Sequence, residues 1–216
     1  MKTIKNIVAV ALLLLVIQGY SQDAEKAKAL LNDVSAKVKS YDNIAIDFKY
    51  SLQNSSENIN QITRGDVTIE GEKYVLNVLG ITRIFDGKTL YTINPEDEEV
   101  TISSENTDDE NTVSPSKMLS FYKEGYTYAM DIIQDVMGRK IQYIKLSPID
   151  TNSEIKQVLL GIDAKTKHIY NLIEIGKNGT RTTLTVNSFK TNEPISKSLF
   201  KFNKGKYKNY YINKLD

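Results

Sequence analysis

The chain has 216 residues and no cysteine, with 28 basic and 27 acidic side chains for a formal net charge of +1. These values exclude disulfide staples, thiolate chemistry and a broad basic field for nucleic acid. Thirteen Tyr and six Phe against no Trp lean towards β structure.

The N-terminus has three parts. Lys2 and Lys5 precede eleven residues, 7–17, without a polar side chain, and Gly19-Tyr20-Ser21 then places small residues three and one before a cut after Ser21. A spanning helix needs roughly 20 apolar residues. The segment therefore reads as a secretory signal peptide over residues 1–21, with the mature protein starting at Gln22. Its removal takes away two lysines and no acid, so the net charge becomes −1. No thiol stands at the cut to receive a lipid. The expectation is a protein free in solution outside the cytoplasm, built as one domain over 22–216.

A helix opens the mature part. Asp23 can cap it, Ala27, Leu30, Leu31, Val34 and Val38 share one face, and Tyr41-Asp42-Asn43 ends it. The period then changes to two: Ile44, Ile46, Phe48, Tyr50 and Leu52 alternate with smaller or polar residues, as in a strand with one buried face. Further strands are expected near 62–70, 73–80, 81–85, 89–94 and 99–103. Asp86-Gly87 and Asn94-Pro95-Glu96-Asp97 supply turns between them. Residues 104–112, with Glu105, Asp108, Asp109 and Glu110, read as an acidic loop. They lack the spacing and the central Gly of a calcium loop. A short apolar helix follows over 114–122, with Ser114 as cap, Pro115 at its first position, and Met118, Leu119, Phe121 and Tyr122 near its end. Strands resume near 126–134, 140–147, 154–163, 169–176 and 180–189, and Asn178-Gly179 signals a hairpin. A last strand is expected over 199–202, before a basic tail with Lys201, Lys204, Lys206 and Lys208.

The sum is mainly β: an unclosed antiparallel barrel, a highly curved sheet of about ten to twelve strands, with two or three helices on its concave side as lid or plug. Nothing marks an enzyme. His168, the single histidine, falls in the turn Ala164-Lys165-Thr166-Lys167-His168 and reads as solvated. There is no nucleophile elbow, no phosphate-binding glycine loop and no metal motif, so no catalytic residue, metal or cofactor is expected. The apolar face of the curved sheet fits either a filled core or a cavity for acyl chains, and periodicity does not separate the two.

The run Ile84-Phe85-Asp86-Gly87-Lys88-Thr89-Leu90-Tyr91, continuing to Asn94-Pro95, resembles a strand–Asp-Gly-Lys–strand–Asn-Pro signature. That signature is the one of the periplasmic outer-membrane lipoprotein carrier family, LolA. Ile46-Asp47-Phe48 looks like the family's first strand, Arg64-Gly65-Asp66-Val67 like its second, and Glu72-Lys73-Tyr74 like the turn after it. Residues 114–122 match the place of its short lid helix, and the later hairpins up to Phe200-Lys201-Phe202 match its C-terminal half.

The resemblance implies an apolar cavity between sheet and helices. The expected wall is Phe48, Tyr50, Leu76 and Val78 with Leu30, Leu31 and Val34, and the expected lid is Met118, Leu119, Phe121 and Tyr122. It also implies acylated lipoproteins as cargo, an inner-membrane ABC transporter as donor and an outer-membrane acceptor, with the carrier a periplasmic monomer. Where well-known members place an arginine followed by proline as a latch, this chain has Glu70-Gly71-Glu72. Arg64 or Arg83 is the candidate replacement. A sensory or regulatory protein on the same fold, binding a lipid or a protein, is the alternative.

Overall fold

The computed structural model describes residues 22–104, 115 and 119–215. The expected signal peptide, the acidic residues Glu105, Asp108, Asp109 and Glu110, and Ser114 and Met118 lie outside the described residues. A single long helix, α1, covers residues 22–39, and Asp23 sits within it rather than capping it. Its predicted face is the buried one: Ala27, Leu31 and Val34 are at most 4 % exposed.

Six strands follow α1: β1 (Ile44–Asn54), β2 (Ile59–Glu70), β3 (Lys73–Val78), β4 (Ile81–Phe85), β5 (Thr89–Asn94) and β6 (Glu99–Ser104). They form a meander of hairpins. A second meander contains β7 (Tyr126–Val136), β8 (Arg139–Pro148), β9 (Ile155–Asp163), β10 (Ile169–Gly176) and β11 (Arg181–Thr191). The two join where β11 pairs antiparallel with β1 from Ile44↔Thr191 to Gln53↔Arg181. A short β12 (Tyr211–Lys214) adds to β6, the one parallel pair. The result is one unclosed twelve-stranded sheet in the order β12-β6-β5-β4-β3-β2-β1-β11-β10-β9-β8-β7.

The residues that suggested the family build turns. Asp86 Oδ1 accepts the backbone N–H groups of Lys88 and Thr89 at 2.9 and 2.8 Å, and Gly87 takes φ 97°. Asn94 Oδ1 accepts the Glu96 N–H at 3.1 Å. These side-chain bonds mimic backbone turns and set the register of the β4–β5 and β5–β6 hairpins.

Alternation assigns the faces. On β3 and β4, Tyr74, Leu76, Val78 and Phe85 meet Ile44, Ile46 and Phe48 on the concave side. Val75 and Ile84 face outwards, with Ile93 and Val100 of the neighbouring strands. The chain between β11 and β12 covers that outer patch. This corrects two expectations. Residues 199–202 are no strand: Phe200, 6 % exposed, and its neighbours Leu199 and Phe202 lie against the outer face of the sheet. Their apolarity comes from that packing, not from pairing. The basic tail instead contains the 3-10 turn Lys204–Tyr207 and β12.

His168 is a further correction. It is half-buried, stacks on Phe189 at 4.1 Å, and its Nε2 shares a 2.7 Å hydrogen bond with the Tyr41 hydroxyl. Burial, with Lys37 nearby, lowers its pKa. The same turn is held by Asp163. Its Oδ1 accepts the Lys165 and Thr166 N–H groups at 2.9 Å each, and its Oδ2 takes Arg139 Nε at 2.8 Å. Burial works to raise this carboxyl, yet the Thr166, Arg139 and Lys165 donors hold it at about 2. A carboxyl depressed in the fold stabilises fully above its unfolded value of 3.8. That contribution drains away as the pH falls from there towards 2. Thermal melts between pH 5 and 2 should therefore show a loss of stability that Asp163→Asn flattens; an unchanged profile in the variant would remove Asp163 as its source.

Candidate functional site

The concave face carries two apolar clusters. α1 packs mostly on one limb of the sheet: Ala27, Leu31 and Val34 meet Ile144, Leu146, Val158, Leu160 and Ile162 of β8 and β9, and Val38 in its last turn also touches the cluster on the other limb. The other limb, around β1, β2, β3 and β11, is left partly uncovered there, and a hollow of about 320 Å³ remains.

Each wall of the hollow follows from strand alternation. β1 contributes Ile46, Phe48 and Tyr50, β2 contributes Val67 and Ile69, and β3 contributes Leu76 and Val78. The second meander supplies Ile169 and Leu172 from β10, then Leu184, Val186 and Phe189 from β11. The last step is three residues rather than two, because a bulge between Asp47↔Ser188 and Phe48↔Val186 inserts Asn187 and shifts the phase. Thr63, from the outer end of β2, is one of the few polar residues among these. Pro115 and Leu119 border the hollow from the segment before β7.

At the rim the β3–β4 hairpin turns through Leu79 (φ 54°) and Gly80 (φ 76°). Two successive positive φ values make the turn type that favours Asn-Gly. A leucine there is strained, and this one is 73 % exposed while also lining the hollow. Leu79 thus combines a costly backbone conformation with an exposed apolar side chain at the edge of an apolar hollow. Leu79→Asn should accordingly raise the stability by about 1 kcal/mol and weaken binding of an apolar probe; a variant that melts lower than wild type would contradict the assignment.

The expected site residues fall into two groups. Phe48, Tyr50, Leu76, Val78 and Leu119 line the hollow together. Leu30, Leu31, Val34, Phe121 and Tyr122 belong to the cluster of α1 with β8 and β9. Phe121 and Tyr122 open the 3-10 turn Phe121–Lys123, and Phe121 packs edge-on against Tyr122 and Tyr126 at 5.7 and 5.9 Å. The Tyr122 ring is 1 % exposed and its hydroxyl has no hydrogen-bond partner, so burial pushes it up to about 12. Of the two candidate latch residues, Arg83 stands beside Leu76 in the register and shares its concave face, whereas Arg64 lies opposite Lys49 on the outer side.

A second, more open depression of about 610 Å³ is lined by Asp47, Arg64, Asp66 and Asn77 among others. Charged and amide side chains mix there with Phe48, Val78, Leu79 and Ile81, whereas the lining of the hollow is almost wholly apolar. Among the described residues no group of three or more His, Asp and Glu side chains could hold a metal ion, and no helix is long and apolar enough to cross a membrane. The 320 Å³ hollow, at the low end of the range for ligand pockets of about 300–1,000 Å³, is the candidate site.

Residues 39–203 match the family model of the outer membrane lipoprotein carrier protein LolA. No curated protein matches the sequence. Among solved structures, an uncharacterized conserved protein from Thermus thermophilus superposes with a TM-score of 0.56 at 10% identity, over 88% of this chain and 99% of that one. That agreement concerns the fold alone. The lipoprotein LppX of Mycobacterium tuberculosis gives a TM-score of 0.47 at 14% identity, over 78% and 98%. A LolA superfamily protein from Nitrosomonas europaea gives 0.41 at 12%, over 80% and 96%.

Proposed function

The chain belongs to the family of the outer membrane lipoprotein carrier protein LolA, and from that premise we propose that it is a periplasmic carrier that shelters acyl chains in the cavity on its concave face. The observation that carries this reading is the apolar, open hollow between β1–β3 and β10–β11. Left empty, an open apolar hollow keeps its walls in contact with water, at about 25 cal/mol per Å² of apolar surface. Water there finds few polar partners, so an apolar guest that displaces it is favoured. Each CH₂ moved from water into the hollow gains about 0.8 kcal/mol, enough that a short stretch of chain decides where an acylated protein resides.

In this reading the cargo is an acylated lipoprotein. It is received from an inner-membrane ABC transporter and surrendered to an outer-membrane acceptor, and the N-terminal 21 residues direct export of the carrier. The mouth at Leu79 is where the chains enter, and Leu119 and Pro115 close the opposite side. The site needs no cofactor, because transfer between apolar compartments is driven by differences in burial alone.

Native mass spectrometry of the protein recovered from its own periplasm tests the proposal directly. A co-purifying mass that fragments to a lipopeptide supports it. A protein that arrives empty, and that also fails to bind a fluorescent fatty-acid probe in solution, would sink it.

A further inference from the structure

The cavity is apolar, but the concave face beside it carries a carboxylate with no partner among the described residues. A bulge at Tyr170 sets Ile169 and Leu172 on the same face of β10, and both line the hollow. Ile173 and Ile175 pack outwards against Ile141 and Tyr143. Glu174 therefore points to the concave side, one step beyond Leu172 along the strand, a rise of about 7 Å. Its neighbours in the register are Val158 of β9 and Thr182 of β11, and Thr182 is followed across the sheet by Leu52 of β1. None of these offers a cation.

Among the described residues Glu174 forms no ion pair or hydrogen bond. Tyr126 is the titratable group that feels its charge. Lys156, at the bulge where β9 meets the end of β10, is exposed and unpaired. Arg83 shares the concave face but stands on β4, five strands away in the sheet. Glu174 is half-buried, and burial raises its pKa. A carboxylate that loses hydration without gaining a partner is costly for the fold, and its position beside the apolar hollow gives that cost a use.

We propose that Glu174 forms a cationic subsite of the cavity, so that the ligand is an amphiphile with a primary amine at the head of its apolar chains. The inference rests on the cavity being the acyl site. When the chains lie along Leu172 and Leu184, an amine at their head comes within reach of the carboxylate, and a charge-assisted hydrogen bond replaces the water that burial removes. An anionic head of the same length meets a like charge there.

Three twelve-carbon probes separate the possibilities: dodecylamine, dodecanol and dodecanoate, each titrated below its solubility or micelle limit against a bound fluorescent fatty-acid probe. The amine should displace it about tenfold more tightly than the alcohol, and dodecanoate should be the weakest. Glu174→Gln should bring the amine to the level of the alcohol and leave the alcohol unchanged. Amine and alcohol binding alike to the wild-type protein would overturn the subsite and leave the cavity reading standing, as would a Gln variant that keeps the preference. Failure of all three to bind would overturn both. The wild-type comparison stands by itself should the variant fold poorly.

Discussion

Gly65→Val is expected to destabilise the protein by about 3 kcal/mol, with a matching fall in the urea midpoint and no change of slope. A Cβ at this position would sit 2.6 Å from the Asn77 carbonyl oxygen and 2.6 Å from Phe48 Cζ. The two obstacles differ in kind. The Phe48 ring is 7 % exposed and packed in the concave core, so it moves only by disturbing its neighbours. The Asn77 oxygen is backbone, locked by the pairing of β2 with β3 from Gly65↔Val78 to Glu70↔Lys73. It cannot withdraw without opening that ladder. Glycine is needed here for close approach, because the Asn77 carbonyl oxygen of β3 and the Phe48 ring of β1 already stand where a Cβ would go. Gly65→Ala should have the same sign and a smaller size, and Phe48→Leu added to it should recover part of the loss but not the part owed to Asn77. Variants that melt within a degree or two of wild type would show that the strands can separate cheaply, and would undo this account of the contact.

Phe48 ties that contact to the cavity, and it also shows what a sequence can disclose. Phe48, Tyr50, Leu76 and Val78 were legible as one face because strands β1 and β3 keep an unbroken period of two. Phe189 was not, since the bulge at Asn187 breaks the phase, and no local pattern announces that β11 will zip to β1. Ile46, Val67 and Ile69 carry the same periodic signal as their neighbours and could have been added. Leu172 and Leu184 required knowing which hairpin lies across the groove.

The helix shows the complementary limit. The stripe Ala27, Leu31, Val34 states that α1 must be buried, and it is, but a stripe does not name the limb it packs on. α1 covers β8 and β9 and so leaves the hollow beside β1. Leu30, Leu31 and Val34 are therefore part of what confines the cavity to one side rather than its lining. The last strand was hidden for a different reason. β12 has four residues, too few for alternation to register, and it borrows its order from β6 through a parallel pairing that follows a long return of the chain.

Filling the hollow should abolish ligand binding and spare the fold, and the second of these outcomes is what makes the experiment decisive. Leu184 and Val186 face the cavity from β11, opposite Tyr50 and Phe48 in the register with β1. Replacing both by Trp places two large apolar rings where the acyl chains would lie. In a packed core such an insertion forces side chains off their rotamers and costs about 1–3 kcal/mol each. In an open apolar hollow of about 320 Å³ the rings instead find unoccupied space and remove apolar surface from water, an effect of about 25 cal/mol per Å². The double variant should thus melt at or above the wild-type temperature while its affinity for a fatty-acid probe falls by at least about tenfold. Ile144→Phe supplies the contrast, because Ile144 is wholly buried under α1; there the enlarged side chain should lower the melting temperature and leave the probe affinity of the folded fraction intact. Retained binding in the Leu184→Trp, Val186→Trp protein would move the ligand elsewhere. A sharp loss of stability in that protein would show that the hollow closes in solution, and either result would defeat the carrier reading.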